Sequence, residues 1–227
     1  MDHEGEAWLG RGVYGISELA RYTRLDPARV RSWFTTRPYG ITGGPLFLAD
    51  YPSVEGNYAA SFLDMIDTLV VGQLRGSGVP MTRIRAAYDQ LRKTFGKHPF
   101  AHNEFYTDGR EIIAAAADEL GDEVLAGVVS RQQFFVQAKT FLKLIEYSSA
   151  THLAAKWNIA KGVCIDPSIS LGKPVVAGTG TTTFVVARSY SANGNSAELV
   201  ADLFQILPED VRRSVEFEEG HPTRTAA

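Results

Sequence analysis

The stretch "GISELARYTRLDPARVRSWFTTRPYG", from Gly15 to Gly40, reads as two short helices separated by a tight turn. Ser17 is placed to N-cap the first helix, which carries Leu19, Ala20 and Tyr22 before a break over Thr23 to Leu25. Asp26 then offers a capping oxygen, and Pro27 takes the first helical position, where its missing N–H costs nothing. Val30, Trp33 and Phe34 fall on one face at helical spacing, while Arg29, Arg31 and Ser32 point elsewhere. Two short apolar-faced helices punctuated in this way predict a helix-turn-helix, the second helix of which enters a DNA major groove. The next residues, "YGITGGPLFLAD" (Tyr39 to Asp50), are two β-prone pieces around Gly43-Gly44, and a hairpin there would supply a wing. Arg24, Arg29, Arg31, Ser32 and Arg37 are the predicted DNA contacts, because arginine pairs bidentately with guanine edges and also grips phosphates.

The charge pattern around this stretch points the same way. The chain of 227 residues has a formal net charge of −3, but the charge is unevenly spread. Six arginines face two acids between Gly10 and Gly40, and six basic residues face Asp89 between Arg75 and His98. From Pro99 to Ser130 seven acids face Arg110 alone, and the last thirty residues are acidic as well. A basic N-terminal half on an acidic remainder implies a local surface for a polyanion, while solvated helix faces of mixed charge account for the count equally well.

Downstream, Phe62, Ile66, Leu69 and Val70 give a helical stripe that ends at Gly76 to Gly78, and Ile84, Tyr88 and Leu91 give another, with Arg83, Arg85, Arg92 and Lys93 on its other faces. Asp108-Gly109 marks a hairpin. Phe134, Ala138, Phe141, Leu142 and Ile145 predict a long amphipathic helix. A boundary is placed between Ser149 and Gly162, after which comes strand-like "VCIDPSI". Thr181 or Thr182 caps a helix over "TFVVARSYSA", stopped by Asn193-Gly194. Asn195 with Glu198 resembles a capping box for the next helix, and Pro208 opens the last. No repeat at a fixed period is visible. The fold class is mainly α with short β-hairpins, a winged helix-turn-helix plus a small helical C-terminal domain. The division is 1–95 for the DNA-binding region, 96–150 for a hairpin and long helix that link, and 151–227 for the C-terminal domain.

"GKPVVAGTGTTTFVV", from Gly172 to Val186, invites reading as a phosphate loop. That motif requires Ser or Thr after the lysine and a helix opening there. Here Pro174 follows Lys173, removing a donor, and the next residues are strand-like. The glycines are read as turn formers, with Gly178 and Gly180 as candidates for positive φ.

The run from Ile165 to Glu218 resembles the small C-terminal domain of certain VapB-type antitoxins. It carries a DP pair (Asp166, Pro167), then Gly172 and Pro174, Gly178 and Thr179, a helix ending at Gly194, and a closing helix with Pro208, Val211 and Phe217. Gly180 stands where that family commonly has arginine. The N-terminal "YGISELARYTRLDPARVRSWF" is similar to the winged helix-turn-helix of MerR-like regulators. The resemblance implies an antitoxin of a type II toxin–antitoxin pair that binds operator DNA as a homodimer, neutralises a VapC-type PIN-domain ribonuclease and represses its own operon. Such a toxin gathers carboxylates around Mg²⁺, so Arg212, Arg213 and Arg224 are the candidate toxin contacts, offering guanidinium groups to those carboxylates. The alternative is a MerR-like regulator that responds to a small ligand, with no toxin.

The remaining chemistry argues against an enzyme. His98 and His102, four apart in "HPFAH" near Glu104, read as ordinary surface histidines rather than metal ligands, since Pro99 breaks the helix that would align them. Cys164 reads as a buried strand residue, and Trp33 and Trp157 as core or dimer residues rather than base-stacking platforms. No triad or carboxylate pair is evident, so catalytic residues, metals and cofactors are all expected to be absent. One cysteine, an acidic N-terminus without a leader pattern and no long apolar run lead to the expectation of a cytoplasmic protein with no membrane partner.

Overall fold

The structure, a computed structural model, describes residues 11–35, 44–106 and 143–220. Within them lie seven α-helices and two small antiparallel sheets. The chain enters through β1 (Tyr14–Gly15), which pairs with β2 (Ala59–Ala60), and passes directly into α1 (Ile16–Thr23). Gly15, not Ser17, is the N-cap: its N–H donates to the Glu18 carboxylate at 3.3 Å, and Ser17 falls inside the first turn. Arg24 closes α1 in the left-handed conformation (φ 57°), and the Leu25 N–H donates back to the Ala20 carbonyl at 2.9 Å. α2 (Pro27–Phe34) begins as the sequence dictates, with Asp26 accepting from the Arg29 N–H at 2.9 Å.

α3 (Phe62–Gly76) packs behind this pair. Ser61 caps it and Asp64 returns the bond to the Ser61 N–H, satisfying two orphan donors together. Gly72 leaves room for Leu25, the side chains of which would otherwise meet a Cβ. α4 (Met81–Phe95) buries Ile84, Tyr88 and Leu91, the stripe seen in the sequence. Two 3₁₀ turns follow, Pro99–Ala101 and Asn103–Tyr106.

The region assigned to a wing behaves differently. Residues 39–43 lie outside the described residues, and 44–50 form no strand. Leu46 and Phe47 are both buried, which an alternating strand with one wet face does not allow. The Phe47 N–H donates to the Trp33 carbonyl at 3.0 Å, and its ring packs edge-on to Trp33 and Tyr88.

The second sheet has the order β3 (Ile145–Tyr147), β4 (Ala154–Ala160), β5 (Val163–Ile165), β6 (Val175–Val176), antiparallel throughout. Ile145, assigned by the sequence to the end of a long helix, sits in β3 opposite Trp157, which covers it. The other residues of that helix, and the Asp108-Gly109 hairpin, lie outside the described residues. Ile145, Ala154, Trp157, Val163 and Ile165 join the same buried cluster as α1 to α4.

A second, smaller cluster of Val176, Val186, Ala197, Val200, Ala201 and Val211 is built by α5 (Thr183–Ala192), α6 (Ala197–Phe204) and α7 (Pro208–Gly220). Thr182 is the N-cap of α5, as one of the two threonines was expected to be. Ser196 caps α6 through the Leu199 N–H at 3.2 Å; Asn195, with φ 62°, is one residue too early.

α6–α7 repeats the geometry of α1–α2 in one constant register. Gly15 and Ser196 are the N-caps of two eight-residue helices. Arg24 (φ 57°) and Gln205 (φ 54°) are their left-handed ends. Leu25 donates to Ala20 at 2.9 Å and Ile206 to Ala201 at 3.1 Å. Pro27 and Pro208 open the second helices, and Val30 and Val211 are fully buried. Between the nineteen-residue stretches 16–34 and 197–215, identity is confined to the pairs Ala20/Ala201, Pro27/Pro208, Val30/Val211 and Arg31/Arg212, which is why no repeat is visible in the sequence.

β1 and α1 meet the segment from Gly172 to Glu218. The fully buried Tyr14 donates its hydroxyl to the Gly172 carbonyl at 2.9 Å. Lys173 pairs with Glu18, and Arg21 with Glu218 at 2.5 Å. Lys173 is therefore a structural cation in extended backbone, followed by strand β6 rather than by a helix.

Candidate functional site

α1–α2 sets out the residues read as DNA contacts. Arg24, at the left-handed turn, is exposed, as are Arg29 and Arg31 on α2. Ser32 is half-buried and its hydroxyl donates to the Arg29 carbonyl at 2.7 Å, so it is committed to the helix. The Arg31 guanidinium donates to the Gly56 carbonyl at 2.8 Å and lies over the Tyr58 ring at 5.7 Å, tying α2 to the turn that closes between Val54 and Asn57. Arg29 makes no side-chain hydrogen bond or ion pair among the described residues. Arg37 lies outside them.

The arginines read as toxin contacts sit on α7. Arg212 pairs with Glu198 of α6 at 2.7 Å and is largely exposed. Arg213 is held by Asp210 at 3.1 Å and Glu209 at 3.2 Å, with its stem against Gly162. Both would have to exchange an internal acid for a partner's. Arg224 lies outside the described residues.

A third constellation was not anticipated. His98, read from sequence as a surface histidine, is buried at 7% exposure between two carboxylates. Its Nδ1 lies 3.1 Å from Asp67 and its Nε2 3.1 Å from Asp50, which also takes Lys97 at 2.5 Å. Asp67, fully buried on α3, further accepts from the Phe100 N–H at 3.0 Å and the Tyr88 hydroxyl at 3.1 Å. Burial alone would lower the His98 pKa, but the hydrogen bonds with Asp50 and Asp67 outweigh it and push it up to about 10. For Asp50 burial acts upward, yet His98 and Lys97 hold it well below the usual carboxylate range. Burial pushes Asp64 and Asp67 upward.

Ligand atoms of Asp50, Asp64 and His98 lie within 4.8 Å of one another. An imidazole with a carboxylate on each nitrogen is an imidazolium, a donor at both positions, and so already fills the place a cation would take. His98 and His102 do not share a site: His102 stacks on Phe95 at 4.9 Å and lies 5.9 Å from the His152 ring. The usable sequence signal was Asp64 and Asp67, two acids three apart on an otherwise apolar helix face.

Beside His98 opens a cleft of 610 Å³ between the helical region and the second sheet, its lining including Arg11, Lys97, Lys156, Glu146, Asp166 and Ser168. Trp157 and Asn103 each bury a polar atom, Nε1 and Oδ1, with no hydrogen-bond partner among the described residues. Cys164 is buried in β5, and burial raises its thiol pKa. No helix among the described residues is long and apolar enough to cross a membrane.

No family model matches the chain. It is 28% identical over 235 residues to a curated Mycobacterium tuberculosis protein named "Putative antitoxin VapB45", covering 95% of this chain and 97% of that protein. The crystal structure of Rv2018 from Mycobacterium tuberculosis superposes with a TM-score of 0.71 at 25% identity, covering 89% of this chain and 96% of that one.

Proposed function

We propose that this chain is a VapB-type antitoxin of a type II toxin–antitoxin pair, a non-enzymatic cytoplasmic regulator. The observation that carries the reading is its similarity, across 95% of its length, to a protein named as an antitoxin. In this reading residues 1–95 form a MerR-like helix-turn-helix region that binds operator DNA as a homodimer, 96–150 link, and 151–227 serve dimerisation and toxin binding. α2 enters the major groove, with Arg29 the foremost base-reading candidate because Arg31 is already engaged with Gly56. Arg24 and Arg37 contact phosphates, and Ser32 supports the helix. The toxin is a VapC-type PIN-domain ribonuclease. Arg212 and Arg213 exchange their present acids for its metal-binding carboxylates, Arg224 joins them there, and the complex represses its own operon.

The test is co-expression with the product of the adjacent gene, followed by co-purification, growth rescue and operator binding. Removing residues 219–227, or replacing the three C-terminal arginines with alanine, is expected to impair neutralisation while leaving operator binding intact. Full neutralisation by the truncated chain overturns the arginine mechanism, and the absence of any ribonuclease partner overturns the antitoxin reading. The cleft of 610 Å³ favours the second reading, a MerR-like regulator that responds to a small polar ligand.

A further inference from the structure

The two helix pairs share a backbone and differ in charge. α1–α2 carries Arg21, Arg24, Arg29 and Arg31 against Glu18 and Asp26. α6–α7 carries Glu198, Asp202, Glu209, Asp210, Glu216, Glu218 and Glu219 against Arg212 and Arg213. A polyanion attracted to the first pair is repelled by the second.

The pairs also differ in what covers their first helices. On α1, Glu18 pairs with Lys173, and Tyr22 is 3% exposed with its ring edge-on to Tyr14. Glu18, Arg21 and Tyr22 share a cavity of 270 Å³ with Lys173, Phe184 and Glu218, so this face of α1 looks onto the C-terminal segment. In the same register α6 presents Leu199 and Leu203, which are 46% and 60% exposed, and Leu207 just beyond its C-cap is 59% exposed. The covered Glu18 and Tyr22 of the first pair correspond to bare Leu199 and Leu203 on the second, while Leu207 corresponds to the exposed Asp26. Beneath it, only Val176, Val186, Ala197, Val200, Ala201 and Val211 form the buried cluster, a small core that gains from being covered.

We infer that the Leu199, Leu203 and Leu207 stripe, edged by Glu198, Asp202 and Glu209, is a docking surface for a basic amphipathic segment of a partner protein, one with an apolar stripe flanked by lysine or arginine. Charge selects this occupant. Glu198 and Glu209 are paired with Arg212 and Arg213, but α6–α7 keeps seven acids against those two arginines, so a second copy docking stripe to stripe would set like charges together, and a nucleic acid has neither the charge nor an apolar stripe to offer. Within the antitoxin reading the segment belongs to the toxin, and the inference rests on that reading for the partner's identity only. It places the toxin's main anchor on α6, with the α7 and tail arginines contributing separately.

Two probes test it on the full-length chain. The first is a synthetic amphipathic helix with a leucine stripe flanked by lysines, set beside a twin with glutamates in place of the lysines. The lysine peptide is expected to bind, more weakly as salt rises, and the glutamate twin is not. Leu199→Ser with Leu203→Ser is expected to weaken lysine-peptide binding at least about tenfold. Because both leucines are exposed, the variant's circular dichroism and melting curve should match the parent's. Equal binding of the twins by the parent chain, or unchanged binding by the variant, overturns the docking surface. A change in the variant's mass in sedimentation overturns it in favour of a second copy as occupant.

The second probe is the co-expressed product of the adjacent gene. Its affinity is expected to fall at least about tenfold with the same variant. If the lysine peptide passes and that product does not bind the parent chain, the antitoxin reading fails and the docking surface stands. If the product binds parent and variant equally, the docking surface fails and the antitoxin reading stands.

Discussion

Gly172 illustrates how one residue serves two ends of the molecule. Its φ is 77°, and a methyl group on it would overlap the Tyr14 hydroxyl that it receives as a hydrogen-bond donor. Gly172→Ala is therefore expected to destabilise by roughly 2 kcal/mol or more, from left-handed strain plus the displaced tyrosine, read as a fall in the denaturant midpoint. Gly180, in the same sequence stretch, lacks a positive φ and has nothing within 4 Å of its would-be Cβ. Gly180→Ala should stay within about 0.5 kcal/mol of the parent. Of the two glycines read as candidates for positive φ, Gly178 has it (φ 80°) and Gly180 does not, while the need at Gly172 comes from Tyr14, 158 residues away, which no local reading sees. Arg29 and Arg31 also look alike in sequence and part in the structure. Arg29→Ala should cost roughly 1–3 kcal/mol in operator binding if it reads a base. Arg31→Ala should also loosen the Val54–Asn57 turn, which hydrogen exchange at those amides would detect.

Among elements, the caps were the most legible features, because a side chain reaching its own helix is a local event. Asp26 caps α2 as read, and Asp26→Ala should cost about 1 kcal/mol by chemical denaturation. The two caps placed wrongly were each off by a short step, Ser17 for Gly15 and Asn195 for Ser196. In both cases the backbone φ and ψ of the true cap were decided by what precedes the helix, strand β1 in one and the left-handed Asn195 in the other. Ile145 was less legible: its spacing from Leu142, Phe141 and Ala138 suits a helix, yet Trp157 across the sheet sets its conformation. Residues 46–47 show the same override, a β-prone pair drawn into the core under Trp33 and Tyr88 rather than into a hairpin.

At the scale of the whole molecule, His98 joins a loop, a helix and a 3₁₀ turn through Asp50, Asp67 and the Phe100 amide. His98→Ala leaves two carboxylates without their shared cation, and should cost roughly 3–5 kcal/mol. The folded pKa of about 10 lies above the ordinary 6.5, so this contribution is present in full below pH 6.5 and is lost as pH rises through about 10. The difference in melting temperature between parent and His98→Ala should accordingly be widest below pH 6.5 and close as pH rises to about 10. No sequence window contains this cluster; only the two acids on α3 hinted at it. The contacts of β1 and α1 with the segment from Gly172 to Glu218 have a further consequence, for the order in which the molecule can be built. Tyr14 meets Gly172 across 158 residues and Arg21 meets Glu218 across 197, so neither bond can form until those later residues have been made. α1–α2 leaves the ribosome before the segments that cover it, with Tyr22 wet on a face that the folded protein buries. Closing so long a loop is a late and slow step of folding. Any chain cut short before Gly172 keeps that tyrosine face open for good.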